Sequence, residues 1–459
     1  MKETRSGAAE LTHDFVELSE AGAAVRLPAA SALGLRRGHE TEEGGEGMRR
    51  KVALAAIAAL CTGLLALPAR GGGAASVRAV WMEYDARYNT FWQQLKKEFE
   101  AANPGITVDN VVVPWNEGHD RLVTWIAGNQ APDIAIVGTR WIIEFNKMGV
   151  VQPADTLLPK AFIDKFIQPA LEARINGRLY GVPVALSARS LYYRTDLVKT
   201  PPQTWQELLA AAREASKSPG VYGIGVSGKK FAELTEYVNY LYGNGGDFFV
   251  TNPDGSYGRC RVNDAAGVDA LRFMVDLVNK DKVTEPNVRE NDRGTLQDLF
   301  LAGKLAMIET GPWFGGMIQE RAKTMPFAVA PMPHNQGKPQ QTLLVTDSII
   351  VFKSAKNTDA VVKFLEYAYR DGPRLEFDKD FGMLPTEKSV ARDAYFQTAF
   401  YKPFIQQLPT AKPWPLTADW SKVEDVMWDA VTAALLNTKS AKAALDGACR
   451  EIDAARGIK

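Results

Sequence analysis

Residues 77–82 read VRAVWM, 90–101 TFWQQLKKEFEA, 106–113 ITVDNVVV, 119–127 HDRLVTWIA, 134–137 IAIV and 141–148 WIIEFNKM. Short apolar runs, the second of them rich in valine, alternate with longer amphipathic stretches. In the first of those stretches Phe91, Trp92, Leu95 and Phe99 share one helical stripe. Asn103-Pro104-Gly105 stops that helix, Pro132-Asp133 opens the third strand, and Gly149 closes the last helix. The rhythm is β-α-β-α-β, which predicts a mostly parallel sheet with helices on both faces. Ligands of such sheets lie beyond the carboxyl ends of the strands. The loops over 83–89, 114–117 and 138–140 are therefore the places to look.

The pattern continues outward. Residues 179–193 are extended and carry Gly181 and Pro183. Thr204-Trp205-Gln206-Glu207 is a capping box that opens a helix. Further helices are predicted over 231–242, 265–278, 294–302 and 359–369, and strands over 305–309 and 343–352. The last long helix is expected to open on a second capping box, Ser421-Lys422-Val423-Glu424. Its stripe is Val423, Val426, Met427, Ala430, Val431, Ala434 and Leu435, with Trp428 off that stripe. The chain of 459 residues is too long for one compact core. It shows no internal repeat and no low-complexity linker after residue 75, which favours two lobes built from interleaved segments.

Composition narrows the function classes. There are 54 basic and 54 acidic residues, so bulk charge gives no reason to expect a nucleic-acid or membrane-surface partner. Met48-Arg49-Arg50-Lys51, an apolar run over 52–67 and small residues ending at Gly73-Ala74-Ala75 make a secretory signal peptide over 48–75. Residues 1–47 then read as an extension foreign to the native product. Cys61 falls inside the signal, which leaves Cys260 and Cys449; no CxxC is present, and the reading favours leaving these two unpaired. After residue 75 the histidines are His119 and His334, with no HExxH, and both are expected to be solvated surface residues. No metal and no cofactor is expected.

Two motifs bear on chemistry. Gly223-Ile224-Gly225-Val226-Ser227-Gly228 satisfies GxGxxG, with Asp247 downstream, but the glycines fall inside a strand and not after one. A glycine-bearing strand and loop is favoured over nucleotide binding. Asp85 and Glu117, at adjacent strand ends, leave a glycosidase conceivable. Gly311-Pro312-Trp313 ends a strand with a stiffened turn that presents an indole. Indole faces stack on sugar C–H surfaces while fixed polar groups hold hydroxyls, so Trp313 is a candidate platform, with a role as core filler equally open on these residues alone.

Several stretches together resemble the maltose and multiple-sugar type of extracellular solute-binding proteins of ABC importers. They are Gly128-Asn129-Gln130-Ala131-Pro132-Asp133-Ile134, Leu179-Tyr180-Gly181-Val182-Pro183 with Tyr192 to Leu197, Pro202 to Leu208, Phe300-Leu301-Ala302-Gly303-Lys304-Leu305-Ala306-Met307 with Gly311-Pro312-Trp313, Ser354 to Asn357, and Gly382-Met383-Leu384-Pro385. Their order and spacing span residues 77–455. The resemblance implies an α/β, periplasmic-binding-protein type II fold: two lobes, a hinge and a central ligand cleft. The first lobe would take 76–185 and 345–395, the second 186–344 and 396–459. The chain would cross between them near 183–189, near 343–347 and again near the C-terminal helices.

The same resemblance implies a periplasmic protein that is not an enzyme. It would capture a mono- or oligosaccharide and deliver it to ABC permease subunits, working as a monomer without nucleic acid. The binding positions it transfers are Asp85, Trp115, Glu117, Thr139, Arg140, Arg189, Phe231 and Trp313. One departure stands out: many relatives carry Gly-Gly where this chain has Thr346-Asp347. A carboxylate at Asp347 suits a hydroxyl or a cationic group, which keeps a non-sugar solute, a polyamine or a glycerol phosphate ester, as the alternative ligand.

Overall fold

A computed structural model describes residues 75–84, 87–230 and 234–458. The N-terminal extension and, but for Ala75, the secretory signal lie outside the described residues, as do Asp85 and Phe231.

Strand Ala75–Glu83 lies one in from the edge of the first sheet. It pairs in parallel with Ile106–Pro114 and, on its other side, with Ile134–Gly138. Helices Tyr88–Ala102 and Trp115–Ala127 make the crossovers between these strands. The helical stripe read from the sequence is buried at Trp92, Leu95 and Phe99, and Trp92 stacks on Trp81 at 3.7 Å. Leu344–Phe352 then joins Ile134–Gly138, and Gly181–Ala188 joins Leu344–Phe352, both antiparallel. The sheet is therefore mixed and not mostly parallel. Parallel neighbours need a crossover of a dozen or more residues; Leu344–Phe352 instead enters from the far side of the molecule, pointing the other way.

The second sheet runs in the order Phe327–Pro331, Ser190–Arg194, Leu305–Thr310 and Tyr222–Ile224. Ser190–Arg194 is antiparallel to both its neighbours, and Leu305–Thr310 is parallel to Tyr222–Ile224. Each sheet has its own core. Val80, Trp81, Ile136, Phe145 and Ile350 belong to one, and Leu208, Ile224, Leu241, Leu271, Met307 and Val431 to the other. A third cluster, with Leu186, Ala188, Tyr192, Leu344 and Leu384, draws on the segments that run between the sheets. The chain leaves the first sheet at Ala188 and enters the second at Ser190, so Arg189 is the connecting residue. Two lobes thus share a pair of antiparallel strands, with Leu344 opposite Ala188.

Local chemistry explains most boundaries. Thr204 accepts from the Glu207 amide and Glu207 reaches back, so the first capping box forms as read. The second does not. The helix spans Trp420–Leu435 with Asp419 as cap residue, because Trp420 is buried against Trp414 and Phe248 and pulls the start upstream of Ser421. A further helix, Ala441–Ala455, follows it, capped by Ser440. At GxGxxG, a Cβ on Gly223 would come within 2.3 Å of the Ala212 carbonyl oxygen and one on Gly228 within 2.7 Å of that of Val288. Those glycines permit close backbone packing, and Asp247 pairs with Lys412 at 2.8 Å.

Cys260 and Cys449 form a disulfide, against the expectation from sequence. Their Cα atoms are 5.2 Å apart although 189 positions separate them. The bond ties helix Ala441–Ala455 to strand Tyr257–Cys260, where the Cys260 amide also donates to Asp453 Oδ1 at 2.7 Å. His119 is half-buried and not simply solvated: its Nε2 lies 3.0 Å from Glu144 Oε2 and its ring packs on Trp141 and Phe145. Among the described residues no helix is long and apolar enough to cross a membrane.

Candidate functional site

A cavity of about 340 Å³ lies where the two sheets meet. Its walls come from the ends of strands and the starts of helices, as the fold requires. Strand Ala75–Glu83 delivers Glu83 and then Tyr84. Helix Trp115–Ala127 opens on Trp115 and Asn116, and the turn after Ile134–Gly138 carries Arg140. The connecting strands supply Ala185, Ser187, Arg189, Val345 and Asp347, and Phe381 and Met383 come from the segment after helix Asp371–Asp380. The opposite wall holds Arg293, the first residue of helix Arg293–Leu301, with Trp313 and Met317.

The aromatic part is continuous. Tyr84 packs on Trp115 at 5.6 Å and on Phe381 at 6.4 Å, and Trp115 on Trp141 at 5.6 Å. Tyr84, Trp115 and Trp313 are each half-buried, with area left to face the cavity. Trp313 sits where it does because two glycines make room. A Cβ on Gly311 would meet its ring at 2.0 Å, and one on Gly382, whose φ is +61°, would meet its Cα at 2.5 Å. The guanidinium groups of Arg189 and Arg293 lie over the Trp313 ring, 4.9 and 5.2 Å from its centre.

Polar groups are fixed among the rings. Tyr84 donates to Asp347 Oδ2 at 2.6 Å. Burial first, and the Asp347 carboxylate next, push the Tyr84 hydroxyl well above its ordinary range, so it stays a donor. Arg189 Nη1 donates to Ser187 Oγ at 2.9 Å. Beside strand Gly181–Ala188, the buried Arg374 binds Asp378 at 2.9 Å, Glu387 at 3.1 Å and the Val184 carbonyl at 2.8 Å. That cluster anchors helix Asp371–Asp380, and with it Phe381, to the strand.

Of the residues singled out by sequence, Trp115, Arg140, Arg189, Trp313 and Asp347 line this one cavity. Thr139 stands behind it, buried, its hydroxyl 2.8 Å from that of Ser348. Glu117 does not line it; its carboxylate is half exposed on the helix surface and binds Arg121 at 2.6 Å. Trp428 is buried at a different hollow, beside Lys229 and Thr432. Tyr84, Arg87 and Asn116 fall within the loops that strand ends pointed to, but were not distinguished there from their neighbours. Phe381 and Met383 flank and include the Gly382-Met383-Leu384-Pro385 stretch. Arg293 and Met317 carry no signal in the sequence, because their place depends on how the second lobe faces the first. No group of three or more histidine, cysteine or acidic side chains placed to hold a metal occurs among the described residues.

Residues 85–374 match the family described as bacterial extracellular solute-binding protein. A candidate binding protein of Brucella abortus (strain 2308) is 32% identical over 399 residues, covering 85% of this chain and 95% of its own. The maltodextrin-binding protein MdxE of Bacillus subtilis (strain 168) is 26% identical over 420 residues, 87% of this chain and 96% of its own. Among solved structures, maltose-bound MalE3 of T. maritima superposes with a TM-score of 0.74 at 24% identity, over 83% of this chain and 99% of that one. The two-lobed fold is shared with that solved structure. The chain belongs to the bacterial extracellular solute-binding protein family.

Proposed function

We propose that the chain is the capture subunit of an ABC importer: it binds one saccharide in the interlobe cavity and hands it to membrane permease subunits. The observation that carries this is the wall that combines half-buried rings, Tyr84, Trp115 and Trp313, with the polar groups Asn116, Arg140 and Asp347. A sugar presents both an apolar C–H face and a rim of hydroxyls, and such a wall matches both at once. The names of two relatives, a maltodextrin-binding protein and a maltose-bound protein, support the same reading.

The mechanism needs no covalent step. A ligand that touches both walls binds the closed arrangement better than the open one, so its population rises. The hinge would lie where Gly181–Ala188 and Leu344–Phe352 pass between the lobes. The lobes would comprise 76–185 with 345–395 and 186–344 with 396–459. The protein would act as a monomer outside the cytoplasmic membrane, exported by the signal read in residues 48–75. Glycoside hydrolysis has less support: Glu117, half of the carboxylate pair it would use, is engaged by Arg121 away from the cavity.

A thermal-melt screen against mono-, di- and trisaccharides tests this. At least one should raise the melting temperature in a concentration-dependent way. A flat response across the whole panel would rule out saccharide capture.

A further inference from the structure

We propose that the lobes turn on a ribbon of three residue pairs held between two buried clamps, and that Asn239 and Gln407 are positioning residues that make Arg189 travel with the second lobe. This rests on the capture reading above and specifies where closure takes place. Leu344 faces Ala188, Val345 faces Ser187 and Thr346 faces Leu186. Past those pairs, strand Ile134–Gly138 joins from Asp347 onward on one side, and the second sheet starts at Ser190 on the other. Between the sheets the two strands therefore run as a narrow ribbon, with the Leu384 amide bonded alongside to the Leu186 carbonyl at 2.8 Å. Two-stranded ribbons twist further than the strands of a wide sheet. Ser187 and Val345 of the ribbon line the cavity, so bending it reshapes the surface a ligand rests on.

Buried side chains grip each end of the ribbon. At the first-lobe end the register shifts: Asp347 faces Ala185 but Ser348 faces Pro183, which leaves Val184 as the extra residue of a β-bulge. The Val184 carbonyl accepts from Arg374 Nη2 at 2.8 Å, and the Pro183 carbonyl from the Tyr369 hydroxyl at 2.7 Å. At the second-lobe end the Arg189 carbonyl accepts from Thr342 Oγ1 at 2.8 Å and from Gln407 Nε2 at 3.3 Å, and the Arg189 amide donates to the Leu343 carbonyl at 3.2 Å. Gln407, the last residue of helix Lys402–Gln407, also donates to Ser190 Oγ at 2.8 Å and accepts from the Met332 amide at 2.9 Å. Asn239, on helix Thr235–Gly243, accepts from the Leu343 amide at 3.1 Å and donates to Glu309 Oε2 at 3.2 Å. Tyr369, Arg374, Asn239, Thr342 and Gln407 are each at most 3% exposed. Buried polar groups are costly to leave unbonded, and a satisfied network of them is rigid. Torsion changes are thereby concentrated in the few residues between the clamps. Arg189 lies past the second clamp. Its guanidinium, 4.9 Å from the centre of the Trp313 ring, moves with that ring as one unit, and Tyr84 and Trp115 stay with the other.

Titration calorimetry on the full chain, with the saccharide that gives the largest shift in the melt screen, tests this. Neither Asn239 nor Gln407 is among the residues that line the cavity. Asn239→Leu and Gln407→Leu loosen the Arg189 backbone, so binding must order one more long side chain and should weaken by roughly fivefold, at a temperature where circular dichroism shows each variant folded. Variants that melt earlier than wild type yet bind as tightly would overturn the inference and leave saccharide capture standing. Crystal structures with and without the same saccharide put the question to the unsubstituted chain. Backbone torsions should change over 186–188 and 344–346, while 189–191 and 342–343 superpose with the second sheet. An unchanged lobe arrangement, or torsion changes at 189–190 or 342–343, would overturn the inference and leave saccharide binding standing. A panel in which no saccharide binds would overturn both.

Discussion

The Cys260–Cys449 disulfide allows a quantitative test of how the second lobe is held. The cross-link closes a loop of 189 positions. The chain-entropy relation for a loop of that length gives about 5 kcal/mol of stabilisation at 25 °C. An unfolding entropy of about 2 cal/mol/K per residue over the folded chain converts this to a fall of about 6 °C in Tm when the bond is lost. The perturbation is Cys260→Ala with Cys449→Ala, which leaves two small buried residues where the sulfurs packed. Scanning calorimetry of the wild-type chain and the double variant, without reductant, reads the difference. Peptide mapping under non-reducing conditions should recover the Cys260 and Cys449 peptides as one cross-linked species. An unchanged Tm, or a map in which the two peptides run apart, would refute the reasoning.

Other consequences can be measured as directly. Burial above all, with Glu236 nearby, raises the Glu309 carboxyl from 4.5 to about 8, so the folded chain keeps a proton that the unfolded chain releases. Stability from this group is present at acid pH and is lost as pH climbs from about 4.5 toward 8; Glu309→Gln should reduce the fall seen in melts across that window, with Glu172, also raised to about 8 by burial, supplying the remainder. Tyr84→Phe removes the donor to Asp347 and should cost about 1–3 kcal/mol in urea unfolding. Gly382→Ala forces a methyl against the Trp313 backbone from a left-handed conformation; it should destabilise by about 1–3 kcal/mol and weaken ligand binding measured by tryptophan fluorescence.

The first three strands and their helices were legible because each is set locally: a valine-rich run, a 3.6-residue stripe, a Pro or Gly stop. The antiparallel entry of Leu344–Phe352 was not, since nothing within an apolar run says from which side of the molecule it arrives. The loops that carry the site were predictable from strand ends, and Trp115 and Arg140 follow from that rule. Trp313 was visible as an indole on a stiffened turn but not distinguishable from core filler without the resemblance, and Asp347 needed the resemblance to point to it. Arg293 was invisible, because it reaches the cavity only through the packing of one lobe against the other. The disulfide was hidden for the same reason: Cys260 and Cys449 meet through contact between helix Ala441–Ala455 and strand Tyr257–Cys260, which no local pattern encodes.

Small-angle X-ray scattering of the purified protein, alone and with saturating saccharide from the melt screen, most directly tests capture by closure of a cleft. The account predicts a smaller radius of gyration on adding the binding sugar, and no change on adding it to Trp313→Ala. Binding with an unchanged scattering profile would contradict closure around the ligand.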